Sequence, residues 1–190
     1  SLTGKLPLSD YDAFVAVGGG SVIDVTKGLR VVAKYGKSIK DYGGIDKVPG
    51  ELESVLIAIP TTSGTGSEVS NGAVFTDEEK QTKFAMVDMK NCPTLALTDP
   101  EMTKSMPPKI TAITGIDALV HAIESYVSKF SNFITETFAL DAIELIGNNL
   151  EKAIKDGNNI EARGAMQVGS TLAMFSAFNA RLGLCHAMAM

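Results

Sequence analysis

The segment DAFVAVGGGSVIDVTK at residues 12–27 constrains the fold more than any other stretch of this chain. Residues 12–17 read as a short buried strand, and the glycines at 18–20 break it. The helical spacing of Val22, Val25, Leu29 and Val32 then predicts a helix over residues 21–36. A strand with apolar residues on both faces, followed by a helix, belongs to a parallel α/β sheet. Such a sheet needs neighbouring strands on both sides and helices on both faces. VLIAIP at 55–60 supplies a second buried strand, feeding the loop TTSGTGSEVS at 61–70, and TLALTD at 94–99 supplies a third. Between them, residues 38–54 form a polar, glycine-bearing connection, and residues 72–88 form a hairpin turning at Asp77–Lys80.

From about Pro107 the strand signals stop. Helices are predicted over 108–128, 133–155 and 160–180, with another starting near 184, joined by the short polar loops 129–132 and 156–159. The chain is therefore expected to be α/β over residues 1–105 and all-α over 106–190. The apolar ending LGLCHAMAM carries no helix stop signal, and few strands flank the first one. The chain is accordingly expected to be the middle of a longer protein.

Of the 190 residues, 45% are hydrophobic and 21% charged, an ordinary balance for a globular protein with a real core. A net charge of −5 without a long basic run argues against nucleic-acid and anionic-membrane partners, and no apolar stretch reaches the ~18 residues of a bilayer span. Cys92 and Cys185 lie far apart, and no secretory leader precedes the first strand. Free thiols in a reducing, cytoplasmic setting are expected.

Two loops carry candidate binding chemistry. The glycines of GGGS leave backbone N–H groups open at the positive end of a helix, which suits a pyrophosphate. The motif matches neither G-x-G-x-x-G nor a Walker loop, so a tight ligand-free turn is the competing reading. PTTSGTGSE at 60–68 adds hydroxyls beside glycines after the second parallel strand, and two such loops converging on one sheet edge point to a nucleotide. Lys83 stands inside a strand-like run, either on a solvated face or against a phosphate or ribose.

Asp117 and His121 are one helical turn apart and project from the same face, with Glu124 or Ser125 one turn further. The pair is either a hydrogen-bonded Asp–His couple or two ligands of one cation. The only other histidine, His186, opens an apolar, small-residue helix, and the three side chains together make a candidate metal site with a fourth position open or filled from beyond Met190.

These motifs together resemble the iron-containing (group III) alcohol dehydrogenase family, over nearly the whole chain. The resemblance is carried by GGGSVIDVTK (18–27), IPTTSGTGSEVS (59–70), TDEEKQTKF (76–84), MPPKITAITGIDALVHAIESYVS (106–128) and GLCHAMA (183–189). It implies a Rossmann-like dinucleotide-binding domain, incomplete here, followed by a helical metal-binding domain with the active site in the cleft between them. By resemblance, Gly19, Gly20, Ser21 and Asp24 belong to the dinucleotide loop, Thr61, Thr62, Thr65 and Ser70 line NAD or NADP, and Lys83 reaches its phosphate or ribose. Asp117, His121 and His186 match three of the family's ligands for Fe²⁺, with Zn²⁺ or Mn²⁺ as alternatives.

The family's fourth ligand, a later histidine, has no counterpart in this chain. Met190 stands where many members carry another histidine beside the nicotinamide. The implied activity is hydride transfer between NAD(P) and a small primary alcohol or aldehyde, by a homodimer or larger homo-oligomer. A glycerol-dehydrogenase-like or dehydroquinate-synthase-like reaction and an inactive scaffold are the alternatives. The substrate pocket is expected beside Asn71 and Gly72 on one side and Phe175 and Phe178 on the other.

Overall fold

The computed structural model describes residues 11–189. Strand β1 (Ala13–Gly18) leads through Gly19 into helix α1 (Gly20–Tyr35), followed by a two-residue strand β2 (Gly44–Ile45) and by β3 (Val55–Pro60). The hairpin β4 (Gly72–Asp77) and β5 (Thr82–Val87) comes next, then the short β6 (Leu95–Ala96). The rest is helical: α2 (Pro108–Tyr126), α3 (Phe133–Lys155), α4 (Ile160–Ala180) and the one-and-a-half-turn α5 (Leu184–Ala189). Among the described residues, no helix is long and apolar enough to cross a membrane.

β1, β3 and β6 form a parallel sheet, with Ala13 opposite Val55 and Gly18 opposite Pro60, and with Ile57 opposite Leu95. The third strand is shorter than the 94–99 expected from sequence, because Pro93 and Pro100 bracket it and only Thr94 and Leu97 extend its bonding to β3. In a second sheet, β4 and β5 pair antiparallel, as the hairpin pattern predicts. β2 pairs parallel to β5, a two-residue strand inside what reads as polar connection. Gly44 and Ile45 are both exposed, so no buried apolar pattern could have revealed it.

Three cores follow from these elements. Ala16, Ile23, Leu56 and Ala58 pack α1 on the parallel sheet. Val31, Tyr42, Val48, Ala73 and Met86 pack the other side of α1 on the hairpin. Among the helices the core is made largely of alanine, with Ala118, Ala122, Ala142, Ala153, Ala162 and Ala173 around Ile146 and Met166. Small side chains let helix backbones approach closely. A Cβ at Gly115 would fall 2.4 Å from a Leu150 methyl, and one at Gly169 would fall 2.8 Å from Ile146.

The α/β half and the helical half meet along residues 61–70. A Cβ on Gly64 would lie 2.5 Å from Thr114 of α2, and one on Gly66 would lie 2.2 Å from the Cβ of Met174 in α4. Gly66 also has φ +60°, where an L side chain is strained. Gln167 donates to the Pro60 carbonyl at 3.5 Å and Thr171 to the Glu68 carboxylate at 3.2 Å, both from α4. Buried Arg163 secures the start of α2 through Met106 O and Thr111 Oγ1. Gly66→Ala combines a backbone penalty with overpacking against Met174. It is expected to cost about 2 kcal/mol or more, measured as a lower urea midpoint at unchanged m-value.

Candidate dinucleotide edge and metal centre

The parallel register places Gly18 beside Pro60, and Thr61 N–H donates to the Gly18 carbonyl at 3.0 Å, so the two glycine loops leave the sheet side by side at its carboxyl edge. A Cβ on Gly19 would sit 3.2 Å from the Thr62 methyl, and one on Gly20 would sit 2.6 Å from Thr65 Oγ1. A side chain at Gly20 would therefore push the loops apart, and one at Gly19 would crowd Thr62 by a few tenths of an ångström. Gly19 caps α1 without a side-chain hydrogen bond, the first turn holds no acidic residue, and Val22 and Ile23 N–H donate to the Gly19 carbonyl, so the N–H groups of Gly20 and Ser21 are those left for an anion. Ser21 is exposed at that terminus, and Thr61, Thr62 and Thr65 are half-buried beside it.

Asp24 and Ser70 face inward. Asp24 accepts from Ser67 Oγ and, at 2.9 Å, from Val74 N. Ser70 belongs to the shell of Lys27, whose fully buried ammonium donates to Gly72 O (2.7 Å), Ser70 O (2.9 Å), Ser70 Oγ (3.1 Å) and Ser67 Oγ (3.2 Å), with Asp24 4.0 Å away. Two residues matched by resemblance to cofactor contacts thus belong to an internal clamp from α1 to residues 67–74. Lys27 itself went unremarked in the sequence, although its position four residues after Ile23 and four before Val31 puts it on the buried stripe of α1. Lys83, exposed on β5, points its ammonium at the Ala189 carbonyl at the end of α5, 3.4 Å away.

Burial pushes the Lys27 ammonium down to about 8, against the opposing pull of Asp24, Cys92 and Glu68. Its folded value lies below its unfolded one, so the fold binds fewer protons than the unfolded chain between about pH 8 and 10.5. Through that window the group's contribution makes stability rise with pH. Lys27→Met leaves four acceptors without their donor and is expected to cost about 2–4 kcal/mol. In urea titrations the gap between wild type and variant widens from pH 8 to 10.

Asp117 and His121 share one face of α2, and α5 brings His186 to them. One ligand atom from each lies within 4.8 Å of the other two. The imidazoles stack with centroids 4.4 Å apart, and His186 Nε2 is 3.5 Å from Asp117 Oδ1. Buried His121 Nδ1 and His186 Nε2 have no hydrogen-bond partner among the described residues. Two imidazoles, each with an orphaned nitrogen, and a carboxylate whose ligand atoms lie this close form the donor set that a borderline divalent cation takes, so the residues fit a metal ion. Burial lowers the His121 pKa, whereas the Asp117 carboxylate raises that of His186 against burial. At Asp117, burial is outweighed by the two imidazoles, which hold the carboxyl below its usual range.

Glu124 does not continue the ligand stripe. It accepts from His186 Nδ1 at 2.6 Å, from Gly183 N at 2.8 Å and from Cys185 N at 2.6 Å. These bonds overcome its burial and hold its carboxyl down at about 2. Met190, at the relay position, lies outside the described residues. A cleft of about 390 Å³ opens between residues 68–69, Cys92–Pro93 and α4. Phe175 and Phe178 line it, whereas neither the three candidate ligands Asp117, His121 and His186 nor the GGGS turn does. Asn71 and Gly72 are not among its lining residues, and the Gly72 carbonyl accepts from Lys27.

Comparison with known proteins decides the family. The sequence profile of iron-containing alcohol dehydrogenases matches residues 5–100, and that of the C-terminal part of the Fe-containing alcohol dehydrogenase family matches residues 111–190. The chain belongs to the iron-containing alcohol dehydrogenase family. It is 43% identical over 94% of its length to alcohol dehydrogenase 4 of Schizosaccharomyces pombe, covering 42% of that protein. To the NAD-dependent methanol dehydrogenase of Bacillus methanolicus it is 43% identical over 93% of its length, covering 46%. The solved alcohol dehydrogenase from Oenococcus oeni superimposes with a TM-score of 0.90 at 41% identity, covering 95% of this chain and 47% of the other. The family's Rossmann-like and helical architecture is thus that of this chain, which spans about half the length of the relatives it matches.

Proposed function

We propose that the protein is a metal-dependent alcohol dehydrogenase or aldehyde reductase, of which this chain supplies the glycine-loop edge, within residues 1–105, and three metal ligands, within 106–190. The observation that carries the reading is the convergence of Asp117, His121 and His186 with two unpartnered imidazole nitrogens. α2, which bears two of these ligands, is the helix on which Gly64 of the second glycine loop rests. When bound, Fe²⁺, or alternatively Zn²⁺ or Mn²⁺, supplies a Lewis acid for an alcohol or aldehyde oxygen, and NAD or NADP supplies the hydride carrier.

The chain's own part is placement. Gly20 and Ser21, next to Gly19, offer open N–H groups at the α1 terminus to a pyrophosphate, and Thr61, Thr62 and Thr65 offer hydroxyls beside them. The contact of residues 64–66 with α2 and α4 sets the distance between that edge and the ligand helix, which fixes reacting groups across the cleft. The names of the relatives, dehydrogenases acting on alcohols, favour net hydride transfer over a lyase-type cyclisation, and small primary alcohols or aldehydes are the proposed substrates. Exposed apolar residues such as Phe133 and Ile134 support further burial against the rest of the polypeptide or in a homodimer or larger assembly. The free, exposed Cys185 suits a reducing, cytoplasmic compartment.

Replacing a ligand should do more damage than the ~10–100-fold loss seen for outer-shell partners. Asp117→Ala and His121→Ala in the full-length polypeptide are each expected to lower NADH oxidation with short aldehydes by more than ~100-fold, with NADH binding, read by fluorescence, preserved. Wild-type activity in either variant would refute the reading.

A further inference from the structure

We propose that Glu124 is a positioning residue for the metal centre, fixing the tautomer of His186 so that its Nε2 lone pair faces Asp117 and His121. The inference rests on the metal-site reading above and adds a residue to it. An ionised carboxylate only accepts hydrogen bonds, so its 2.6 Å contact with His186 requires the proton on Nδ1. A neutral imidazole protonated at Nδ1 has its lone pair on Nε2. That Nε2 is the buried atom without a partner among the described residues, 3.5 Å from Asp117 Oδ1.

The same carboxylate sets the position of the segment that carries the histidine. α4 ends at Ala180, and the chain reverses at Arg181 with φ +67°. Glu124 then takes the N–H groups of Gly183 and Cys185, which open α5. A Cβ on Gly183 would lie 2.9 Å from Glu124 Oε1, so the glycine lets the backbone come this close. α5 has no buried residue of its own to hold it. Three hydrogen bonds to one side chain, itself 8% exposed, therefore fix its place on α2. Since Glu124 is seven residues after Asp117 and three after His121, the helix that supplies two ligands also sets the third.

The test uses the full-length polypeptide, with Co²⁺ as a spectroscopic probe and Zn²⁺ for NMR. In the Zn²⁺-loaded wild type, long-range ¹H–¹⁵N spectra, assigned by loss of the signal in His186→Gln, are expected to show His186 protonated at Nδ1. Protonation at Nε2 overturns the proposal without any variant at Glu124 having to fold. Glu124→Gln is expected to weaken Co²⁺ affinity by ~10–100-fold in chelator competition and to alter the visible bands of Co²⁺ at saturation. Wild-type affinity with unchanged bands overturns the positioning role alone. A wild type that takes up neither Co²⁺ nor Zn²⁺ removes the metal reading itself, and the proposal with it.

Discussion

Residues 61–70 have to lie against two different surfaces at once, and the placement of both candidate sites depends on that. On one side the loop continues from β3 beside the GGGS turn, with Thr62 and Thr65 filling the space that side chains at Gly19 and Gly20 would occupy. On the other it presses bare backbone at Gly64 and Gly66 onto α2 and α4. A loop with side chains at those positions would stand off the helices and widen the gap between the dinucleotide edge and the ligand-bearing helix. Small residues at these contacts therefore do structural work that also sets a functional distance, since close packing turns a missing Cβ into a fixed separation between elements.

Much of this architecture was legible in the sequence because its signals are local. The glycines at 18–20 end β1 and open α1, Asp77–Lys80 turns the hairpin, and the helical periodicity from Pro108 onward gives α3 and α4 at the bounds read from sequence. Asp117 and His121 share a face by helical spacing alone. β2 carried no signal, because a two-residue exposed strand has no periodicity to show, and β6 was overread because its apolar residues extend beyond the two that pair. The inward turn of Asp24 and Ser70 was also hidden. Both are polar residues near a glycine loop, and only the three-dimensional path of residues 67–74 shows that Asp24 accepts from Ser67 and Val74 and that Ser70 accepts from Lys27.

Lys27, Glu124 and Arg163 share a design. Each is a buried charge that takes hydrogen-bond partners, backbone carbonyls or N–H groups among them, from a segment distant in sequence: residues 67–72 for Lys27, 183–185 for Glu124, and Met106 with Thr111 for Arg163. Burying a charge in this way adds little net stability, because desolvation offsets most of the attraction. Its effect is to make one arrangement much better than its neighbours, since a shift of either segment leaves a buried charge without its partners. An apolar contact would tolerate sliding, whereas a carboxylate receiving two N–H groups and an imidazole does not. Such groups belong where a loop or a short helix must be held in one place, which is where this chain has them: behind the glycine loops, beneath the third ligand, and at the start of the helix that carries the other two.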